Sequence, residues 1–313
     1  FAKVLRSKPK WLTHARYGLF FHWNARSMPR SGLPKSYEEA VNDFDVVKFS
    51  SMVHATGADF IVLTTSWDLL TFPAPLKSLD KILPGNTTSR DLIADLSSAL
   101  AKWNIKLMIY CNFRINAMGW KKEDRLIPGK TDSAFDKMLS IYKEIGRRYA
   151  GRIGGVWIDD GMGLYPYNAP FKAITSALKH YDKDIVVGYN SWVYPRFTDF
   201  QDFYCGEEGI TAAAAVNDSN YLAKDGDGYF VSGPYKNLKA TFCGLLEPGN
   251  WTHTEPDKKI PPPFLTAPQL INILHDAIIR KNVPIMNAEV YQDGSISNET
   301  FALLKAVNEA IHK

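Results

Sequence analysis

Cysteine is scarce in this chain of 313 residues, occurring only as Cys111, Cys205 and Cys243. Three thiols cannot staple a disulfide scaffold, and none stands in the close CxxC spacing of a zinc or redox site. All three are therefore expected as core thiols at strand ends. Long hydrophobic runs are missing as well: nothing approaches the roughly 18 apolar residues that cross a bilayer, so membrane embedding is not expected. There is no GxxxxGK[ST] loop and no GxGxxG after a strand, which removes the usual phosphate cradles of nucleotide and dinucleotide cofactors. Asp159, Asp160 and Glu207 are hard oxygen donors, yet convergent histidines and a calcium-loop pattern are absent, and neither metal nor cofactor is expected. Charge of one sign is lacking too, with 37 basic against 33 acidic residues and a formal charge of +4. Arg147 and Arg148 read as a solvated helix end, because a nucleic-acid surface needs a clustered basic face.

The opening "FAKVLRSKPK" has no apolar signal core and begins with Phe rather than an initiator Met, so the chain is read as a mature or trimmed form. Four N-x-S/T acceptors begin at Asn86, Asn217, Asn250 and Asn298. They favour a secreted, periplasmic or lysosomal-type compartment over the cytoplasm.

Apolar residues make up 45% of the chain, enough for a large core. They cluster in eight short β-rich runs, at residues 18–24, 59–65, 106–112, 154–160, 184–190, 202–208, 238–244 and 283–289. Between several of these lie amphipathic stretches such as "SRDLIADLSSALAKW", "SAFDKMLSIYKEIGRRYA" and "APQLINILHDAIIRK", which carry the helical period. Nearly continuous apolar strands suit a parallel sheet covered by helices. The expectation is an α/β chain forming a (β/α)8 TIM-like barrel, regular or distorted, as one domain over residues 1–313. The short connection between runs five and six is its weakest point.

Functional side chains concentrate where these runs end: His22, Trp23 and Asn24; Asn112; Asp159 and Asp160; Asn190; Glu207 and Glu208. In such a barrel those ends converge on one face, where ligands bind. Trp67, Trp120, Trp157, Tyr165, Trp192, Tyr204 and Trp251 stand in or near the same segments. Aromatic rings cover the apolar face of a sugar, while amides and carboxylates bind its hydroxyls. Two carboxylates from different strands suit glycosidic cleavage, one attacking the anomeric carbon and the other donating a proton to the leaving oxygen. Asp159 is the candidate nucleophile and Glu207 the candidate acid/base, with Glu208 as its alternative. Adjacent strand residues face opposite ways, so only one of the two glutamates is expected to reach the basin. Asp160 better fits a helix cap, and Asn112 and Asn190 either bind hydroxyls or cap a βα junction. Asn287 has the same two readings.

With those motifs in place, the chain resembles the α-L-fucosidases of glycoside hydrolase family 29. "WLTHARYGLFFHWN" is similar to the family's W-F-x-x-A-K-F-G-x-F-I-H-W-G, and "GGVWIDDG" to the W-F-D-G strand carrying the nucleophile, landing on Asp159. "DFYCGEE" resembles D-Y-x-T-P-E, which carries the acid/base in one branch and lands on Glu207. "IIRKNVPIMNAEVYQDGSIS" is similar to the family's C-terminal pattern. The resemblance implies a retaining exo-hydrolase acting on a terminal α-L-fucosyl or related sugar, with His22 binding a hydroxyl and Trp251 lining the pocket; together with the strand-end reading, the expected substrate contacts are His22, Trp23, Asn24, Trp67, Asp68, Asn112, Trp157, Asn190 and Trp251. The family usually carries a C-terminal β-sandwich as well, and here the sequence departs from it: a catalytic barrel alone is expected. The family's fucose-contacting His-His pair is replaced by Trp67 and Asp68 within "TTSWDLL". That replacement motivates two alternatives, a retaining glycosidase for another or modified sugar, and a carbohydrate-binding barrel without catalysis. Asp159 is expected ionised and the acid/base glutamate raised in pKa.

Overall fold

The computed structural model describes residues 6–67, 69–113, 120–122, 125–159, 161–192, 196, 198–207 and 223–312. A first short helix α1 (Lys10–His14) leads into strand β1 (Gly18–Phe21). There follow α2 (Tyr37–Asp43), α3 (Val46–Thr56), β2 (Phe60–Ser66), α4 (Lys77–Ile82), α5 (Leu92–Ala101) and β3 (Lys106–Cys111). The second part runs α6 (Asp132–Arg148), β4 (Gly155–Ile158), α7 (Gly161–Leu164), α8 (Phe171–Lys179), β5 (Val186–Tyr189), β6 (Thr241–Leu245), α9 (Ala267–Ile279), β7 (Val283–Asn287) and α10 (Asn298–Ile311). Helix starts are capped as the residue types dictate: Ser36 and Glu39 form a reciprocal box on α2, and Asp45 accepts from Val47 and Lys48 at the start of α3.

These seven strands pair in parallel, in the order β5-β4-β3-β2-β1-β7-β6. The sheet curls, with helices outside it, into a distorted (β/α)8-like barrel. Strand residues alternate between two apolar layers, as a period of two requires. Phe20, Phe60, Val62, Met108, Tyr110, Trp157, Val186, Cys243 and Ile285 fill the interior. Leu19, Phe21, Ile61, Leu63, Ile109, Ile158, Val187 and Met286 pack outward against the helices. Each such fully buried side chain contributes about 1.5–3 kcal/mol relative to exposure.

The sixth of the eight expected strands is not formed within residues 202–207; its segment makes one isolated parallel bridge, Phe203 with Lys239. The segment still closes the gap between β5 and β6. Asp202 N donates to Val187 O at 2.8 Å and Ser191 N to Cys205 O at 2.8 Å, while Tyr204 N donates to Lys239 O at 2.9 Å. Side chains interrupt the ladder. Val187 N donates to the Asp202 carboxylate at 2.8 Å, and the Thr241 hydroxyl takes the Tyr204 carbonyl. Asp202, buried, also binds Lys179 Nζ at 2.6 Å and Ser7 N at 2.7 Å, so the closing segment is pinned by a buried ion pair instead of a regular strand. Gly188 makes room for it: a Cβ there would lie 2.4 Å from the Phe203 ring.

Candidate active site

The interior parity continues past the strand ends and sets the site. Beyond Phe20 comes His22, beyond Tyr110 Asn112, beyond Trp157 Asp159, beyond Val186 and Gly188 Asn190, and beyond Phe203 and Cys205 Glu207. Among the described residues, Phe20, His22, Trp67, Tyr110, Trp157, Asp159, Glu207, Cys243 and Trp251 line a cavity of about 200 Å³ at this end of the barrel.

Asn190 is the node of the polar set. Its Nδ2 donates to Asp159 Oδ1 at 2.5 Å and also to Glu207 Oε1. Its Oδ1 accepts the main-chain N–H of Trp192 at 2.9 Å. An amide NH2 has two hydrogens and its oxygen none, so the Trp192 N–H fixes which end of the amide meets the carboxylates. On the other side of Asp159, Oδ2 accepts from Tyr110 Oη at 2.5 Å and from Asn112 Nδ2 at 2.8 Å. Donors converging on one carboxylate favour its charged, oriented form. Glu207 is raised in pKa, first by burial and then by the Asp159 charge, with the Asn190 hydrogen bond opposing both. The two acids thus sit in different electrostatic environments.

His22 is buried, and burial lowers it to a pKa of about 4 despite its bond with Asn287. Asn287 Nδ2 donates to Trp251 O at 3.1 Å, which turns Asn287 Oδ1 toward His22 Nδ1 at 2.8 Å. Nδ1 therefore carries the proton, and Nε2 of the neutral ring is an acceptor. The ring stacks on Phe20 at 4.1 Å and meets Trp67, Tyr110 and Trp251 at 5.7, 5.2 and 5.2 Å between centroids.

Of the residues expected at the site, Asp159, Glu207, His22, Trp67, Trp157 and Trp251 line the cavity, and Asn112 and Asn190 bind its carboxylates. Trp23 does not line it. Its indole faces the outer layer against Tyr37 and Phe44 and donates to Gln292 O, because position 23 has the opposite parity to position 22. Asn24 is used in a turn, with its side chain bonded to Arg26 N, His22 O and Thr252 Oγ1. Trp120 and Tyr204 also pack elsewhere. Asp68, Asp160 and Glu208 lie outside the described residues. Tyr110, Phe20 and Cys243 were not singled out, although Tyr110 shares the parity of Asn112 and could have been found by it. All three cysteines are buried, and burial raises the Cys205 and Cys243 thiols well above their ordinary range. Among the described residues no group of three or more His, Cys, Asp or Glu could hold a metal ion, and no helix is long and apolar enough to cross a membrane.

A larger cavity of about 940 Å³ lies elsewhere, between α4, α6 and α8. Arg147 lines it with Lys77, Lys81, Lys137 and Lys143, so this half of the Gly-Arg-Arg stretch belongs to a basic groove. It holds one carboxylate, Glu144, already bonded to Lys77 N, Ser78 N and Ser78 Oγ. It offers no pair of carboxylates, and size does not make it the better candidate.

No protein-family profile and no curated protein sequence matches the chain. Solved structures do. The α-L-fucosidase AlfC from Lactobacillus casei, in complex with its α-L-fucose product, superposes with a TM-score of 0.65 over 96% of both chains at 17% identity. A bacterial fucosidase with a monovalent iminocyclitol inhibitor superposes with a TM-score of 0.64 at 14% identity, over 98% of this chain and 75% of that one. The chain shares the fold of these proteins.

Proposed function

We propose that the chain is a retaining exo-glycoside hydrolase that removes a terminal α-L-fucosyl or related sugar. The observation that carries this reading is the single Asn190 amide bonded to both Asp159 and Glu207 at the mouth of an aromatic-lined cavity. Two oxygens on one nitrogen are no farther apart than two hydrogen-bond lengths, about 6 Å. That is below the roughly 6.5–9.5 Å between carboxyl groups that leaves room for the water of an inverting enzyme. The fold shared with α-L-fucosidases supports the same reading.

In the first step Asp159 attacks the anomeric carbon while Glu207 gives its proton to the departing oxygen. A glycosyl ester forms on Asp159, and the freed alcohol or sugar leaves. In the second step ionised Glu207 takes a proton from water, whose oxygen attacks the same carbon and releases Asp159 as carboxylate. Glu207 ends protonated, ready to repeat the cycle. His22 Nε2 accepts a sugar hydroxyl, and Trp67, Trp157 and Trp251 cover apolar ring faces. A cavity of about 200 Å³, smaller than the roughly 300–1,000 Å³ of drug-sized clefts, suits one sugar ring and so attack at a chain end. Trp67 on the cavity wall supports acceptance of a sugar with an apolar substituent.

The test is turnover of aryl glycosides, led by the α-L-fucoside and including other L- and D-sugars, with Asp159→Ala and Glu207→Ala as controls. Both variants are expected to lose at least about 10³-fold in kcat. Azide should restore turnover of an activated glycoside to Asp159→Ala with inverted product. Saturable sugar binding without turnover, across natural glycans as well, would instead select the binding barrel.

A further inference from the structure

Trp192 stands two residues beyond the Asn190 node with φ at +55°. This left-handed region suits glycine and is disfavoured for a bulky aromatic side chain. The surroundings are built to hold it there. Its N–H is taken by Asn190 Oδ1 at 2.9 Å, and its carbonyl accepts the N–H of Glu207 at 3.2 Å. Gly206 leaves space for that carbonyl, since a Cβ on Gly206 would come within 2.6 Å of it. Nevertheless the side chain is 49% exposed and packs on no other ring among the described residues. An indole kept in a disfavoured backbone conformation with about half its surface open to solvent is only partly used in packing. Its cost is explained if something outside the chain covers it.

We propose that Trp192 is the platform for the leaving group, and that the leaving groups it selects carry a ring with an apolar face, such as a second sugar. The proposal rests on the hydrolase reading above. If Glu207 protonates the departing oxygen, the leaving group must lie within hydrogen-bond reach of Glu207. The main chain of Trp192 is bonded to that residue's own N–H, so its indole starts from the backbone that flanks the departing half of the substrate. Stacking against a sugar face needs a rigid aromatic surface at that place. The strain sets the backbone direction from which the side chain departs, and the Asn190 bond ties that direction to both carboxylates.

The experiment uses the sugar preferred in the glycoside panel, presented both as its fluoride and as a disaccharide, with Trp192→Phe, Trp192→Ala and Trp192→Gly variants. Trp192→Ala is expected to lose at least tenfold more kcat/KM on the disaccharide than on the fluoride, mostly through KM, and Trp192→Phe to recover most of the difference. Trp192→Gly should show the same discrimination with a raised Tm, because glycine relieves the strain. Equal losses on both substrates, or a lowered Tm with no discrimination, would reduce Trp192 to a structural residue and overturn the platform alone. Absence of turnover by the unaltered chain on every substrate would overturn the hydrolase reading, and the platform with it.

Discussion

Two pairs of carboxylates stand at the same end of the barrel, and they are built differently. Asp159 and Glu207 are half-buried on a cavity, joined by a side-chain amide that donates to both. Glu247 and Glu289 follow β6 and β7 and are 1% and 5% exposed. There the link is the N–H of Glu289 donating to Glu247 Oε2 at 3.0 Å, with Thr300 Oγ1 on the other oxygen of Glu247 at 2.5 Å. Among the described residues Glu289 Oε2 has no hydrogen-bond partner, and it lies 4.0 Å from His253 Nδ1. Burial lifts both glutamates to about 7. A raised carboxyl pKa therefore marks burial wherever it occurs. What separates the pairs is a cavity beside one of them and donors that can hold one of its members charged. Those two features, more than the pKa shift, are why the proposed chemistry is placed on Asp159 and Glu207.

The sharpest way to break the contrast is Asn190→Ala, which deletes the bridge and leaves both acids in place. One charge-assisted hydrogen bond, to Asp159, and one bond to protonated Glu207 disappear, and kcat/KM is expected to fall on the order of 10²–10³-fold, or about 3–4 kcal/mol. The pH profile should move as well. The Asn190 bond lowers the Glu207 pKa, so without it the alkaline limb set by loss of the Glu207 proton shifts to higher pH. A pH–rate series on unaltered chain and variant checks this. An unmoved limb would mean that Glu207 is not the group titrating.

The sealed pair predicts a stability effect. Folded Glu247 and Glu289 hold protons that the unfolded chain releases nearer 4.5, so the native state binds more protons between the two values. Their contribution is fully present below about pH 4.5 and is lost as pH rises through about 7. A pKa shift of this size is worth on the order of 3 kcal/mol per carboxylate, and the coupling between the two makes the sum smaller. Glu247→Gln with Glu289→Gln imitates the protonated pair. Thermal unfolding from pH 4.5 to 8.5 should show the unaltered chain losing stability toward alkaline pH and the double variant losing much less. Parallel curves would mean that the pair is ionised throughout.

How much of this could be read from the residues alone depends on which regularity carried it. Continuous apolar runs disclosed seven parallel strands, and the helical period disclosed α5, α6, α8, α9 and α10. The sixth run failed because the ladder it should have joined is interrupted by the Asp202 carboxylate and the Thr241 hydroxyl, contacts with no signature in a local pattern. At the site, clustering at strand ends led to Asp159, Glu207, His22, Asn112 and Asn190, but it gathered Trp23 and Asn24 with them. Parity would have set Trp23 aside. Glu289 ends the eighth run and lies within the C-terminal pattern, yet its pairing with Glu247 left no trace, since it depends on two loops meeting.

Tyr110 is the instructive omission, because the same parity that discards Trp23 would have found it. It lies in β3, two residues before Asn112, and both side chains reach Asp159 Oδ2. Removing the hydroxyl by Tyr110→Phe deletes one of the two donors on that oxygen among the described residues, keeps the ring on the cavity wall, and leaves Asn112 bonded. The loss should therefore be smaller than for Asn190→Ala, which strips a donor from each acid: about tenfold in kcat/KM, or about 1.4 kcal/mol. The check is the double variant Tyr110→Phe with Asn112→Ala, compared with the two single variants. If the donors substitute for each other, removing both costs more than the sum of the single losses, because only then does Oδ2 lose both of these bonds. Simple additivity would show that each acts on its own, and that Tyr110 contributes through contact with the sugar instead of through Asp159.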